Sequence, residues 1–390
     1  MVATSTYDAI IIGAGAAGLM CALTAGQRGL RVLVLDHNAQ VGAKILISGG
    51  GRCNFTNSGT APVNFISANP HFARSALSRY TPQDFLALIA KHKIAWHEKT
   101  LGQLFCDGSA KQIVKMLLDE CASVGVKVIV DCKISDVRKA DAFQVATSQG
   151  AFVARNVVLA TGGLSIPKMG ATGFALDVAK KFGLKIVAPK PGLVPLKAAA
   201  DELPFYTSLS GVALPAVACT GKMKFAENVL FTHRGLSGPA ILQVSSYMVQ
   251  GDELVLDLAP EVDLAALLKR RRHERPKAEP KTLLAEFVPQ RLAESLAIEL
   301  SLEKIAERLK RWRFTPAETE GYAKAEVMVG GVDTEGLSSK TMETKAVRGL
   351  YVIGEAVDVT GWLGGYNFQW AWASGAVAGQ GMVRDSARDL

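Results

Sequence analysis

An α/β fold with a parallel sheet at its centre is predicted by three features of this sequence. Residues 7–36 read as strand, glycine turn, helix and strand, a single unit closed by an acid. Residues 156–163 and 349–355 each repeat a buried apolar strand running into a glycine turn. Between those two lie a proline-punctuated stretch and a charged helical stretch that share neither pattern. Strands of one style at both ends of a chain, with foreign composition between them, describe one domain interrupted by inserts.

The opening unit carries the most information. Its strands, residues 9–12 and 31–35, are short β-branched runs suited to burial on both faces of a parallel sheet. The helix is expected over residues 15–29. Between strand and helix, Gly13-Ala14-Gly15-Ala16-Ala17-Gly18 fits the pattern G-x-G-x-x-G. Gly13 permits the tight turn, Gly15 leaves room for a pyrophosphate against the backbone, and Gly18 lets helix and strand pack closely. The helix N-terminus directs unpaired N–H groups and a partial positive charge at that anion. Asp36 follows Gly15 by 21 residues, where a ribose hydroxyl would donate to it. A tight turn in some other α/β fold leaves Asp36 unexplained, so a dinucleotide is expected.

At 390 residues the chain exceeds one compact domain, and two or three are expected. A hydrophobic fraction of 49% with 21% charged residues fits a full core. Residues 9–26 are uncharged, but they contain four glycines and no basic residue precedes them. The nucleotide unit explains them better than a signal peptide or membrane span, and a cytoplasmic protein with no membrane partner is expected. The six cysteines include no C-x-x-C pair and the six histidines no ligand spacing. A disulfide framework and a metal site are therefore not expected. A net charge of +8 suits an anionic cofactor or substrate and is too diffuse to demand nucleic acid.

Residues 41–59, VGAKILISGGGRCNFTNSG, read as a loop bringing backbone close to something flat or anionic. Asn54, Thr56 and Asn57 supply hydrogen-bonding groups there, and Lys44 and Arg52 supply charge. Helices are expected over 82–93 and 109–124, a third parallel strand over 126–130, and a meander of short strands over 134–139, 142–148 and 150–154. The strand 156–163 follows, then a helix over 173–182. Prolines 189, 191, 195, 204 and 215 mark a β-rich insert over about 193–258, broken around 235–239. Residues 261–319 read as helical, and the basic run 269–275 reads as a solvated helix end rather than an RNA patch. A last helix is expected from Asn367 to about residue 384. The division expected is 1–190 plus 320–390 as the nucleotide domain, 191–260 as a β-rich insert on the substrate side, and 261–319 as a helical insert.

Five stretches together resemble the BaiN/YhiN-like bacterial flavoproteins, a group that includes aminoacetone oxidase: IIGAGAAGLMCA, KILISGGGRCNFTN, LATGGLSIPKMGATG, LFTHRGLSGPAIL and GEAVDVTGWLGGYNFQWAWASG. The resemblance spans nearly the whole chain and implies bound FAD. It also implies a discontinuous Rossmann-like FAD-binding domain, glutathione-reductase-like with a β-meander, interrupted by a β-barrel-like insert and a helical one. By position, Gly13, Gly15, Ala16, Ala17 and Gly18 would hold the pyrophosphate and Asp36 the adenosine ribose. Lys44, Arg52, Cys53 and Asn54 would line the cofactor, and Ile134 or its neighbours would meet adenine through backbone. Thr161 and Gly162 would pass beside the diphosphate and ribityl chain, with Gly354 and Glu355 closing the pyrophosphate side. Gly365, Tyr366, Asn367 and Gln369 would sit at the isoalloxazine edge, where a helix N-terminus faces the charge that reduction leaves on the ring. Gln103 and Cys106 stand where the main branch of the family usually has Arg and Pro.

Three activities are compatible with these residues. The first is reduction of a small organic substrate, such as an activated double bond, with electrons from NAD(P)H; no second G-x-G-x-x-G is present, so the nicotinamide would bind transiently. The second is an oxidase of a small amine or amino ketone. The third is an RNA-associated or non-catalytic FAD-binding protein. His233, Arg234, Tyr366 and the loop 236–239 are expected neighbours of the flavin, and Cys53 is expected to pack or contact the cofactor.

Overall fold

The computed structural model describes residues 5–298 and 301–383. It divides into two compact units, residues 1–190 with 327–390 and residues 191–326.

The first unit is organised on a parallel sheet. Its strands lie in the order Lys127–Ile129, Val32–Leu35, Ser5–Ile12, Gly150–Leu159, with Leu350–Val352 pairing the end of the last. Sheets of this kind are buried on both faces, and Val32 to Leu35 are correspondingly all buried. The meander differs in one respect from the expectation. Residues 150–154 and 156–159 are one strand, whose first half pairs antiparallel with Phe143–Thr147 while residues 152–159 run parallel beside Ser5–Ile12. Nothing between Ala154 and Asn156 turns the chain, so the parallel strands and the meander form one seven-stranded sheet.

The opening helix, Ala16–Gln27, is buried from Ala17 to Gly26. A helix apolar on every side belongs inside, and here the closing helix, Tyr366–Gly381, covers it. Two glycines make that contact. A Cβ on Gly375 would fall 2.5 Å from the Ala17 carbonyl oxygen, and one on Gly379 would fall 2.7 Å from that of Cys21. Backbone therefore meets backbone, and the opening and closing helices are locked across one interface. Trp370 and Trp372 are buried in the same core, and their indole N–H groups donate to the carbonyls of Gly354 and Phe55. The helix was expected to reach residue 384, which lies outside the described residues.

Residues 41–59 are more regular than a loop. A short helix, Ala43–Ile47, precedes the three glycines, and Asn54–Asn57 is a strand paired with Gln103–Cys106. That strand pairs in turn with Trp96–Glu98. The partner strand lies about fifty residues onward, out of reach of local pattern.

The second unit holds a seven-stranded antiparallel sheet running from Trp312–Phe314 to Glu318–Thr319 at its edges. Its helices include Leu264–Glu274, Gln290–Ala297 and Leu302–Lys310. Within residues 261–319, the strands at 312–314 and 318–319 thus return to the sheet. The arginines of the basic run close this helical segment: Arg271 and Arg275 reach Glu286 at 2.8 Å, and Arg272 donates to the Ala278 carbonyl at 2.7 Å. Among the described residues, no helix is long and apolar enough to cross a membrane, and no group of His, Cys, Asp and Glu could hold a metal ion.

Candidate functional site

The carboxyl ends of the parallel strands gather the predicted residues of the first unit at one edge of the sheet. Open α/β sheets bind ligands there because the strand-to-helix turns leave a crevice. Gly13 takes a φ of +113°, and a Cβ on it would strike the Ala160 carbonyl at 2.4 Å. One on Gly18 would lie 1.9 Å from the Gly13 carbonyl, so helix and turn meet with no room for a methyl. A Cβ on Gly15 meets nothing within 4 Å, which leaves the helix N-terminus open above Ala16 and Ala17.

Asp36 is buried, and both its oxygens are engaged from the backbone. Oδ2 accepts the Ala14 N–H at 2.7 Å and Oδ1 accepts that of Asn38 at 2.8 Å. Each oxygen retains acceptor capacity for a hydroxyl. The Asp36 carbonyl also accepts the Cys132 N–H, which brings the start of Ile134–Lys139 alongside.

Lys44, Ser165 and Glu355 form a polar knot drawn from three parts of the chain. Lys44 Nζ reaches Glu355 Oε2 at 2.7 Å and Ser165 Oγ at 2.6 Å; Ser165 donates to Glu355 Oε1 at 2.7 Å, and the Met328 N–H donates to the same oxygen at 2.9 Å. Burial of Glu355 works to raise its pKa. The Lys44 charge and these hydrogen bonds outweigh it and hold the carboxyl below the usual range. Gly162, with φ +73°, sits against the same carboxylate, and Gly354, with φ +64°, packs on Ala17.

The glycine run adopts three left-handed conformations in succession, Gly49, Gly50 and Gly51 at φ 57°, 67° and 83°. That explains the composition, because no side chain tolerates such a run. Arg52 is exposed beyond it, whereas Cys53 is fully buried with φ 52°. Burial first, and then the neighbouring Cys106, push the Cys53 thiol up to about 12 despite a hydrogen bond with Ser48. A neutral buried thiol packs; it does not attack.

At the closing helix, Gly364 and Gly365 are left-handed, and a Cβ on Gly365 would lie 2.3 Å from the Thr56 carbonyl. The nearby amides shape this turn from within. Gln369 is buried, with Oε1 taking the Thr56 hydroxyl at 2.6 Å and Nε2 donating to the Tyr80 carbonyl at 2.8 Å. Asn367 caps Gly361 with both ends of its amide at 2.8 Å. Tyr366 stands edge-on to Phe65 and Trp362. The Gln369 N–H donates to the Gly365 carbonyl at 3.0 Å, which closes the first turn of the helix. Asn54 lies beside Gln103, whose side chain touches Gly364.

His233 and Arg234 lie in the second unit, at the turn before Gly235–Ser237. His233 is exposed, and Arg234 pairs with Glu320 at 3.4 Å. No spacing rule points to Ser165 as a partner of Glu355 or to Asn57 as a bridge to Gly364, because both contacts span more than a hundred residues.

These residues fit FAD. The space above Gly15, the open face of Gly50 and a buried Thr161 hydroxyl with no partner among the described residues mark where a polar, extended group would lie. A buried hydroxyl without a hydrogen bond is destabilising, and a ligand oxygen there would relieve it. Thr161→Val is therefore expected to weaken FAD binding roughly five- to tenfold while leaving the apoprotein as stable or more so. Fluorescence titration of FAD and apoprotein melting check this; unchanged affinity would remove Thr161 from the site.

The fold and this site define an FAD-binding flavoprotein with a Rossmann domain and the architecture of the flavin oxidoreductases. Residues 7–381 match the family described as HI0933-like protein Rossmann domain, and the chain belongs to that family. It is 48% identical to a ribosomal RNA dihydrouridine synthase of Escherichia coli (strain K12), over 97% of this chain and 98% of that one. A 3-dehydro-bile acid delta(4,6)-reductase of Clostridium scindens is 29% identical over 95% of this chain and 97% of its own. Among solved structures, 3-ketosteroid delta1-dehydrogenase from Sterolibacterium denitrificans superposes with a TM-score of 0.53 at 13% identity, covering 97% of this chain and 99% of that one. That likeness is one of fold.

Proposed function

We propose that this protein reduces a uracil base of ribosomal RNA to dihydrouracil, using FAD and electrons from NAD(P)H. The observation that carries the reading is the 48% identity, over almost the full length of both chains, to a ribosomal RNA dihydrouridine synthase. The conversion adds two hydrogens across the C5–C6 bond, an electron-poor double bond conjugated to a carbonyl. That is the reaction type the flavin residues suit, and the net charge of +8 suits a polyanionic substrate.

Bound at the strand ends, FAD supplies two-electron acceptance from a reduced nicotinamide and hydride delivery to such a bond. The chain's own residues position it. Asp36 takes the adenosine ribose, the open helix N-terminus at Gly15 to Gly18 takes the diphosphate, and Thr161 takes a hydroxyl or phosphate oxygen. The N-terminus of the closing helix, with its positive dipole end, faces the pyrimidine end of the ring and stabilises negative charge there without a charged side chain. Arg52, exposed beside the glycine run, stands ready for phosphate.

A second reading is reduction of a small organic molecule, favoured by the identity to a bile acid reductase along nearly the full chain. One anaerobic experiment separates the readings. The holoprotein is mixed with NADPH or NADH, the flavin band is followed, and the reduced protein is then mixed with unmodified ribosomal RNA or with small conjugated ketones. Reoxidation by RNA, with two hydrogens gained by one uridine, is the expected result. Reoxidation by the ketones alone favours the second reading, and reoxidation by oxygen alone favours an oxidase. Failure of both nicotinamides to bleach the flavin would sink the first two.

A further inference from the structure

We infer that the hairpin between Trp96–Glu98 and Gln103–Cys106 presents RNA to the flavin edge, with Leu101 as an apolar wedge entering the base stack beside the target uridine. This rests on the RNA reading above and names how that site would obtain its base.

Leu101 is the anomaly. Its backbone is left-handed at φ 59°, a conformation costly for a leucine, and its side chain is 64% exposed. Neither hydrophobic burial nor backbone preference accounts for it, since glycine or asparagine would suit the turn better. A strained residue held in place by its surroundings is a reason to look for function.

The surroundings do hold it. The buried Asn57 amide nitrogen donates to the Leu101 carbonyl at 3.0 Å and to the Gly364 carbonyl at 2.9 Å. One side chain thus ties the hairpin tip to the turn that opens the closing helix. The Ser58 N–H donates to the Gly102 carbonyl at 2.8 Å, and Gly102 is itself left-handed at φ 75°. A Cβ there would lie 2.7 Å from Asn57 Oδ1 and Ser58 Oγ, so the tip is packed tightly against its support. On the same hairpin, Gln103 contacts Gly364 from the side. Leu101 is therefore a rigid apolar projection joined through one amide to the proposed flavin edge.

The chemistry around it suits single-stranded nucleic acid. Trp96 is 41% exposed at the start of the hairpin. Lys99 lies over the Phe105 ring at 5.6 Å, and His97 stacks on the same ring. Lys93, Lys99 and Arg52 are exposed and have no carboxylate partner among the described residues; of the nearby acids, Asp107 is engaged by His97 at 2.6 Å and Glu98 is exposed. Exposed aromatic groups interleaved with cations bind unpaired bases by stacking and phosphates by charge. The basic run of the second unit is largely closed in on Glu274, Glu286 and backbone carbonyls, which leaves this hairpin as the better phosphate-facing element.

A uracil stacked inside folded RNA presents its C5–C6 bond to nothing. Enzymes acting on such a base take it out of the stack, and apolar side chains commonly enter the base step that is opened. Leu101 has the exposure, the rigidity and the position for that step.

The test uses Leu101→Gly and Leu101→Asn, both of which accept the left-handed turn, so FAD content and melting should be kept. Flavin reduction by NADPH without RNA should be unchanged in both. With ribosomal RNA, kcat/KM is expected to fall roughly tenfold or more, the scale set by the cost of unstacking one base step without the wedge. A fragment carrying 2-aminopurine next to the target uridine should brighten on binding wild-type protein and not the variants. If wild type modifies RNA and both variants do so equally, the wedge is overturned and the functional reading stands. If wild type leaves RNA untouched, both fall.

Discussion

Lys44→Met is expected to destabilise the apoprotein by about 3 kcal/mol, the low end for removing one partner of a buried ion pair. The low end applies because a third of the Lys44 side chain and a fifth of that of Glu355 reach solvent. Without the ammonium, Glu355 keeps the Ser165 hydroxyl and the Met328 N–H but no counter-charge. Its pKa, now held below the ordinary value of 4.5, should move above it as burial prevails. The sign of the pH dependence then reverses. In wild type the carboxylate's stabilisation is complete above the ordinary value and lost as pH falls through the lowered one. In the variant, acid should restore stability by neutralising the group. Glu355→Gln alone should be milder, and combining the two should recover part of the loss, because the charges act as a pair. Urea titrations of the four proteins from neutral to acid pH decide this; coincident midpoints for wild type and Lys44→Met would refute it. FAD content should follow stability, since Gly162 and Gly163 lie against the same carboxylate.

Gly375→Val should cost about 3 kcal/mol and release FAD. The added Cβ would sit 2.5 Å from the Ala17 carbonyl and 3.1 Å from the Cys21 nitrogen, both backbone atoms of the opening helix. Backbone cannot swing aside as a side chain can, so the helices must separate. Gly379→Ala, 2.7 Å from the Cys21 carbonyl, should act in the same direction. Separation tilts the two helix N-termini proposed to face the cofactor, at Gly15 and Gly365, so loss of affinity should accompany loss of stability. Melting and FAD retention on gel filtration report the two effects. A variant as stable as wild type would mean that the interface yields elsewhere.

Much of the site was legible because its local parts are self-contained. Gly13, Gly15, Gly18 and Asp36 lie within one short unit, and their roles follow from sterics and from one hydrogen bond spanning 22 residues. The three glycines at 49–51 announced a backbone that only glycine adopts, and they adopt it. The amide of Asn367 closes on the N–H and carbonyl of Gly361, and that of Gln369 on the Thr56 hydroxyl and the Tyr80 carbonyl. A sequence marks an amide as hydrogen-bonding without naming its partner. The short helix 43–47 and the shared strand 150–159 escaped for a related reason, since neighbours distant in sequence stabilise both.

The sequence by itself determined the nucleotide-binding βαβ unit, the return of its sheet at residues 350–352 and the glycine turns at the strand ends. These rest on periodicity, on φ preferences and on contacts short enough to be written locally. Tertiary structure alone decided that Glu355 is answered by Lys44, that the basic run closes on Glu286, and that Leu101 stands tied to Gly364. Each of the three depends on which groups burial brings face to face, and the energy of a charge or a strained leucine is set by that company.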